Sequence, residues 1–467
     1  MIISFQKCKV KTGKIIQFRK YIQFRFLIAI LICTSISQKS YSQQSKKISG
    51  KYYDWTKTME PEQPWVRDYN KTLITKIMLC TRDENGQEGT VYLKFADALE
   101  VIRKLDNITL GLPKIVYLVG WQFNGHDSKY PSWAEVNKAL KRKQDSTAIE
   151  SLRWLIHAAK AYNTTVSLHI NMIDAYQDSP LWQEYLDKDI IAKDKAGNPI
   201  KGESFGLQSY QISYAQEWKT SYAQRRIDGL LKMIPELIEG GTIHIDAFHS
   251  MQAVRPNQPI SPYLGFSIQD EISAQRKIFR YWRSKGIDVT SEGGIYPLRI
   301  DPFIGLQAAS WHYDEDLYIK DRWLNKPKWF KNLPVQFSGF TPMPCESEIR
   351  EDPGQLSGLI EQFCLKVVPW YYRRNLDVSK EDEIIISDNE IICPVLWKDH
   401  TILVYTNQLD ASEKKVKLPS NWISVREVQL YLMTLEGLRK EEILKVTKGM
   451  INLTVKSNLP IVITPID

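Results

Sequence analysis

The 467-residue chain is 43% apolar, 25% charged and 11% aromatic, with 23 glycines and 22 prolines, which excludes disordered, collagen-like and coiled-coil classes. Its net charge is +8, and residues 1–42 alone carry eight basic side chains (Lys7, Lys9, Lys11, Lys14, Arg19, Lys20, Arg25, Lys39) and no Asp or Glu. The remainder is therefore balanced, and a nucleic-acid partner loses its only support.

The basic stretch leads into an apolar run, Phe26–Cys33, and then the small-residue site Ser40-Tyr41-Ser42. This is the pattern of a secretory signal removed after about Ser42, which sends the mature chain to a periplasmic or extracellular compartment. The apolar run is short for a stable membrane span. Cys80, Cys345, Cys364 and Cys393 remain beyond it, without the close spacing of a structural zinc site. Disulfides among them and buried free thiols are both open, and spacing does not choose a pairing.

From about residue 70 to 375, strand-like and helix-like runs alternate. Strands are expected at Thr72–Cys80, Lys114–Gly120, Thr164–Ile170, Thr242–Phe248, Ile287–Ser291 and Phe303–Trp311. Helices are expected at Leu93–Leu105, Ser146–Tyr162, Ser221–Leu237 and Ile268–Lys285, with Asp270-Glu271 as a solvated acidic first turn in the last. Alternation of this kind predicts parallel β-α units, and the count predicts a closed (β/α)8 TIM-type barrel over residues 43–375. Beyond 376 the runs shorten and lose helical period, at Glu383–Ile386, Ile391–Trp397, Thr401–Thr406, Val425–Leu432 and Leu459–Thr464. Residues 376–467 are expected to form a C-terminal antiparallel, β-sandwich-like domain.

In a parallel barrel the chemistry sits just beyond the C-terminal ends of the strands. Those positions hold Trp121, His126 and Asp127, then Asn171 with Asp174, then Asp246, Glu292 and, last, Trp311 with His312. Aromatic rings that stack on pyranose faces and carboxylates that fix hydroxyls make a sugar-binding cleft of such a rim. Asp246 and Glu292 end two different strands, so they can flank a scissile bond from opposite sides. Retaining glycosidases need two carboxyl groups about 5 to 5.5 Å apart, one attacking the anomeric carbon while the other protonates the leaving oxygen. A hydrolytic zinc site drawn from His126, Asp127, His169 and His244 lacks HxH or HExxH spacing. No cofactor is expected; calcium stays open, although no EF-hand-like loop is present.

The stretch Gly120–Pro131 (GxxxxGHDSxxP), the strand ending in Asp246 and the strand ending in Glu292 together resemble the catalytic core of glycoside hydrolase family 101, the endo-α-N-acetylgalactosaminidases of mucin-type O-glycans. The resemblance extends more weakly over about residues 70–375. It implies a double displacement with Asp246 as nucleophile and Glu292 as acid/base, and His126 and Asp127 as ligands of the first sugar. Trp121, Asn171, Asp174 and Trp311 are added as candidate sugar contacts from their strand-end places. A raised pKa is expected for Glu292, and an ionised state for Asp246. Family members of the best-known kind are much larger, and the 46 residues from Asp246 to Glu292 include a proline-rich stretch, Arg255–Tyr263, beside the site. Endo and exo cleavage, a different α-linked sugar, and a non-catalytic glycan-binding barrel are the alternatives.

Overall fold

The computed structural model describes residues 66–69, 71–248, 260–291, 306–307, 345–375, 384–409 and 412–466. All of them belong to the unit Gln63–Asp467. The signal expected over 1–42, Glu292, Trp311 and most of the proline-rich stretch lie outside the described residues.

The first half runs β1 (Leu73–Met78), β2 (Cys80–Arg82), β3 (Glu88–Val91), α1 (Phe95–Ile108), β4 (Lys114–Val119), α2 (Ala148–Ala158) and β5 (Thr164–Asn171). An excursion follows from the end of β5, with β6 (Asp174–Ala175), α3 (Trp182–Asp187), β7 (Lys201–Phe205), β8 (Leu207–Gln211) and α4 (Tyr214–Lys219). Then come α5 (Tyr222–Met233), α6 (Glu236–Gly240), β9 (Thr242–Asp246), α7 (Ile268–Ser284), β10 (Asp288–Ser291) and β11 (Leu306–Gln307).

The helices start where the sequence offers caps. Thr147 with Glu150 and Ser267 with Asp270 form reciprocal capping boxes at α2 and α7, each satisfying orphan amide donors of the first turn. On α1 the buried residues Phe95, Ala98, Val101, Ile102, Leu105 and Ile108 recur at helical spacing and form one stripe. The single helix expected over Ser221–Leu237 is instead α5 and α6. Pro235 lies at the break, where its ring supplies no N–H and collides with the carbonyl four residues back.

Strands β1, β4, β5, β9, β10 and β11 form one sheet in that order, every pair parallel. One face of this sheet carries buried hydroxyls. Tyr69 and Tyr117 both hydrogen-bond the Thr242 hydroxyl, at 3.0 and 2.6 Å, and the Ser167 hydroxyl donates to the Thr242 carbonyl at 2.6 Å. Such satisfied pairs let a sheet interior hold hydroxyls without a desolvation cost.

After the β11 residues the described chain resumes with α8 (Glu346–Glu351), α9 (Leu359–Gln362), a π turn at Phe363–Val367 and α10 (Val368–Asn375). The expected boundary at 375 falls where description pauses. Beyond it lie β12 (Ile385–Ile386), β13 (Glu390–Pro394), β14 (Ile402–Thr406), β15 (Ser412–Lys417), β16 (Glu427–Thr434), β17 (Gly437–Lys445), β18 (Met450–Val455) and β19 (Ile461–Ile466). An antiparallel sheet is ordered β12-β13-β14-β19-β16-β17, and β15 pairs with β18. Val404, Trp422, Val428, Leu430, Leu453 and Ile463 are among the residues of the apolar core that these strands enclose. Helix α1 abuts this sheet through Asn107, whose amide donates to the Leu435 carbonyl at 2.7 Å, and Arg103, which meets Glu436 at 2.6 Å.

The four described cysteines are buried free thiols. No helix among the described residues is long and apolar enough to cross a membrane.

Candidate active site

The C-terminal ends of β1, β4, β5, β9 and β10 open onto one rim, and its centre is the loop Gly120–Pro131. This loop lies against β2: the His126 amide donates to the Cys80 carbonyl at 2.8 Å. The approach is so close that a β-carbon on Gly120 would stand 1.9 Å from the Cys80 oxygen, and one on Gly125 2.6 Å from the Thr81 carbonyl carbon. Both glycines also have positive φ, +74° and +119°, which only glycine adopts freely. Phe123, Asp127 and Lys129 are left-handed without being glycine, a conformation that costs about 1–3 kcal/mol each and concentrates at functional sites.

The strain is held by side-chain ties. Arg82 donates through Nε to the Asp127 carbonyl at 2.7 Å, and Asn124 donates to the Gly86 carbonyl at 2.8 Å. Lys129 pairs with Asp178 at 3.0 Å. The result presents His126 and Asp127 at the rim, His126 Nδ1 3.3 Å from Asp127 Oδ1, with 25% and 18% of the side chains exposed.

Asp246 ends β9 with 18% of its side chain exposed, and the His169 Nε2 lies 3.7 Å from its Oδ2. Strand register puts Asn171 beside Asp246 and His169 beside His244. Imidazole rings therefore descend from rim to interior: His126 to His169 at 5.3 Å between centroids, His169 to His244 at 5.2 Å, and His244 to Tyr117 at 5.1 Å. Burial first, then the charges of Lys76 and His169, drive His244 well below its ordinary range, so its imidazole is neutral. Its Nδ1 shares a hydrogen bond with the Thr290 hydroxyl at 2.9 Å.

Asn171 is held by the turn that follows it and by Arg226. Its Oδ1 accepts from the amides of Ile173 and Asp174 at 2.8 and 2.9 Å, and its Nδ2 donates to Asp174 Oδ2 at 2.8 Å. Its carbonyl accepts from Arg226 Nη2 at 3.0 Å. Arg226 is itself buried, paired to Glu217 at 2.6 Å, and Tyr185 donates to the same carboxylate oxygen at 2.8 Å. Burial and then the charge of Asp127 push Asp174 up to about 7, against hydrogen bonds from Asn171 and Ser209.

Of the expected site residues, His126, Asp127, Asn171, Asp174 and Asp246 come together here. Trp121 is fully buried, its indole N–H donating to the His169 carbonyl at 2.9 Å. Glu292 and Trp311 lie outside the described residues. In sequence Glu292 directly follows Ser291, whose register partner Ile245 directly precedes Asp246.

Gln122 and Tyr130 escaped the sequence reading. Both are fully buried, and the Tyr130 hydroxyl lies beside the Gln122 amide without a well-formed hydrogen bond. Burial first, then the negative charges of Asp127 and Asp246, raise the Tyr130 hydroxyl well above its usual range. Buried polar atoms left incomplete are costly, and here they border the two rim carboxylates. A signal existed, since both residues fall inside the GxxxxGHDSxxP stretch.

Glu271 departs from expectation in the other direction. It is fully buried, not solvated, and it accepts from the Ser213 hydroxyl at 2.7 Å and the Ala215 amide at 2.8 Å. A cavity of about 540 Å³ lies elsewhere, along α5, with Trp133, Leu181, Tyr222, Leu230 and Met233 in its wall. Among the described residues no group of three or more His, Cys, Asp or Glu side chains could hold a metal ion.

Residues 89–291 match the family model of glycoside hydrolase family 101, described as endo-alpha-N-acetylgalactosaminidase. Among solved structures, the chain is similar to the ligand-free alpha-N-acetylgalactosaminidase NagBb of Bifidobacterium bifidum, at 14% identity and a TM-score of 0.40 over 53% of this chain. The similarity spans 39% of that enzyme's length. It is also similar to an alpha-amylase of Geobacillus thermoleovorans complexed with acarbose, at 12% identity and a TM-score of 0.43, over 86% of this chain and 99% of that one.

Proposed function

We propose, from the core of glycoside hydrolase family 101 type at residues 89–291, that the chain is a retaining glycosidase of α-linked N-acetylgalactosamine on Ser or Thr of mucin-type O-glycans. The observation that carries the reading is the partly open Asp246 carboxylate at the end of β9, with Asn171 in register beside it and a strained loop presenting His126 and Asp127 on the same rim. Within this reading the parallel sheet is part of a closed (β/α)8 barrel, residues 376–467 are a β-sandwich-like domain, and the chain is exported.

Asp246, ionised, attacks the anomeric carbon and forms a bond to it as the glycosidic bond breaks. Glu292, protonated, donates to the departing oxygen. Glu292 then takes a proton from water, whose oxygen displaces Asp246 and releases the sugar with retained configuration. His126 and Asp127 hold hydroxyls of the same sugar.

Turnover of an aryl α-N-acetylgalactosaminide by the wild type, Asp246→Ala and Glu292→Ala tests the assignment. Asp246→Ala is expected to lose about four orders of magnitude in kcat, while Glu292→Ala spares the first step with an activated aryl leaving group far more than with a glycopeptide. Full activity of both variants would remove the pair from the chemistry. A panel of glucosides, galactosides and acetamido sugars fixes the sugar. Products from a core-1 glycopeptide separate disaccharide from monosaccharide release.

A further inference from the structure

We propose that Asp174 is a positioning residue for the nucleophile, holding the Asn171 amide beside Asp246, and not a ligand of the sugar. This rests on the reading of Asp246 as nucleophile and deepens it. The Asn171 side chain has two acceptor sites and two N–H donors. Both acceptor sites and one donor are committed to the turn that ends in Asp174. Only the second N–H of Asn171 is left for the neighbour that register gives it, and that neighbour is Asp246.

Asp174 is itself anchored. It lies in β6, paired with Gln211 of β8, and β8 also supplies the Ser209 hydroxyl that hydrogen-bonds its carboxyl. A β-carbon on Gly202 of β7 would stand 2.4 Å from that hydroxyl and 3.3 Å from Asp174 Oδ1, so no side chain separates β7 from the pair. The charged and titratable groups facing Asp174 are Asp127 on the rim loop, Asp246 on β9, and Tyr176 and Tyr214. Burial and the first two set its elevated titration near 7. A neutral carboxyl accepts from Asn171 with one oxygen and donates to Ser209 with the other, adding no charge next to Asp246. Ionisation adds a third negative charge to the cluster.

The test is kcat and KM for an aryl α-N-acetylgalactosaminide between pH 5 and 9, on the full chain, for the wild type, Asp174→Ala and Asp174→Asn. Asp174→Ala is expected to lower kcat about 10- to 100-fold with KM within about twofold, because the Asn171 amide is released. Asp174→Asn, which mimics the neutral acid, restores kcat to within about threefold at pH 6 and removes an inflection near pH 7. Asp174→Ala with wild-type kcat, or with a loss confined to KM, overturns the inference. Urea unfolding from pH 4 to 8 reads the same group without substrate and covers the case in which Asp174→Ala fails to fold. A carboxyl with raised folded pKa gives full stability below about pH 4 and loses it as pH rises toward about 7, so the wild-type midpoint falls over that range relative to Asp174→Asn. Parallel midpoints overturn the inference. A wild type that turns over no α-glycoside overturns the function reading, and parallel or diverging midpoints still report separately on Asp174.

Discussion

The rim loop and the C-terminal antiparallel sheet put their free energy to opposite uses. Residues 120–131 hold three left-handed non-glycine residues and a buried Gln122–Tyr130 contact without a well-formed hydrogen bond. The C-terminal strands instead alternate, as along β18 of the β15–β18 pair, where Ile451, Leu453 and Val455 are buried and Met450, Asn452 and Thr454 are exposed. One region holds strain and incomplete polar groups beside the rim carboxylates Asp127 and Asp246. The other stabilises by removing apolar surface from water, at about 25 cal/mol per Å². Conformation and satisfaction of polar atoms therefore distinguish the two regions better than burial, which both possess.

The largest test of that contrast is Gly120→Ala. Its β-carbon meets the Cys80 carbonyl at 1.9 Å on a residue with φ of +74°, so the loop must leave β2. A cost above about 4 kcal/mol in chemical unfolding is expected, with loss of activity in whatever remains folded. Native-like stability would mean that the loop does not need its contact with β2, and the rim would not be the strained region.

Leu453→Ala breaks the other side. Leu453 of β18 is 3% exposed within the apolar cluster of the C-terminal strands, and its truncation should cost about 3 kcal/mol of stability. Below the unfolding transition, kcat and KM should equal those of the wild type. A changed kcat in a fully folded variant would show that the C-terminal apolar cluster shapes the rim, and the contrast between the regions would fail.

The same division explains what could be read from the sequence. Alternating apolar runs located β1, β4, β5, β9 and β10, since strands buried on both faces read as continuous apolar segments. The rim followed from their ends, which is how Asp246, Asn171 and His126 were reached. Strands β15 and β17 stayed hidden because Ser412–Lys417 and Gly437–Lys445 are mostly charged and largely exposed, so they carry no apolar run to find. In the excursion β6–β8, β6 has two residues and a distant partner, Asp174 pairing with Gln211, while the hairpin β7–β8 (KGESF and LQSYQ) is too polar to carry an apolar run. The network Arg226–Glu217–Tyr185 was hidden in helical patterns, where nothing local marks an arginine that reaches the Asn171 carbonyl.

Glu271 sharpens the comparison at the smallest scale. Like Asp174 it is a carboxyl held in its neutral form up to about 7, chiefly by burial, but its hydrogen bonds from Ser213 and Ala215 are complete and join α7 to the start of α4. The unfolded chain titrates near 4.3, so the protein keeps its full stability below that pH and loses part of it as pH rises toward about 7. Glu271→Gln preserves both hydrogen bonds in the neutral arrangement and removes the titration. Its stability relative to wild type should therefore be flat below about pH 4 and rise to a gain of less than about 3 kcal/mol at pH 7, measured by urea unfolding across that range. The pH profile of kcat should stay that of the wild type, in contrast to Asp174→Asn, because Glu271 hydrogen-bonds no rim residue. A shifted kcat profile in Glu271→Gln would show that an elevated carboxyl anywhere in the parallel-sheet unit reaches the site, and the separation of rim from scaffold would no longer hold.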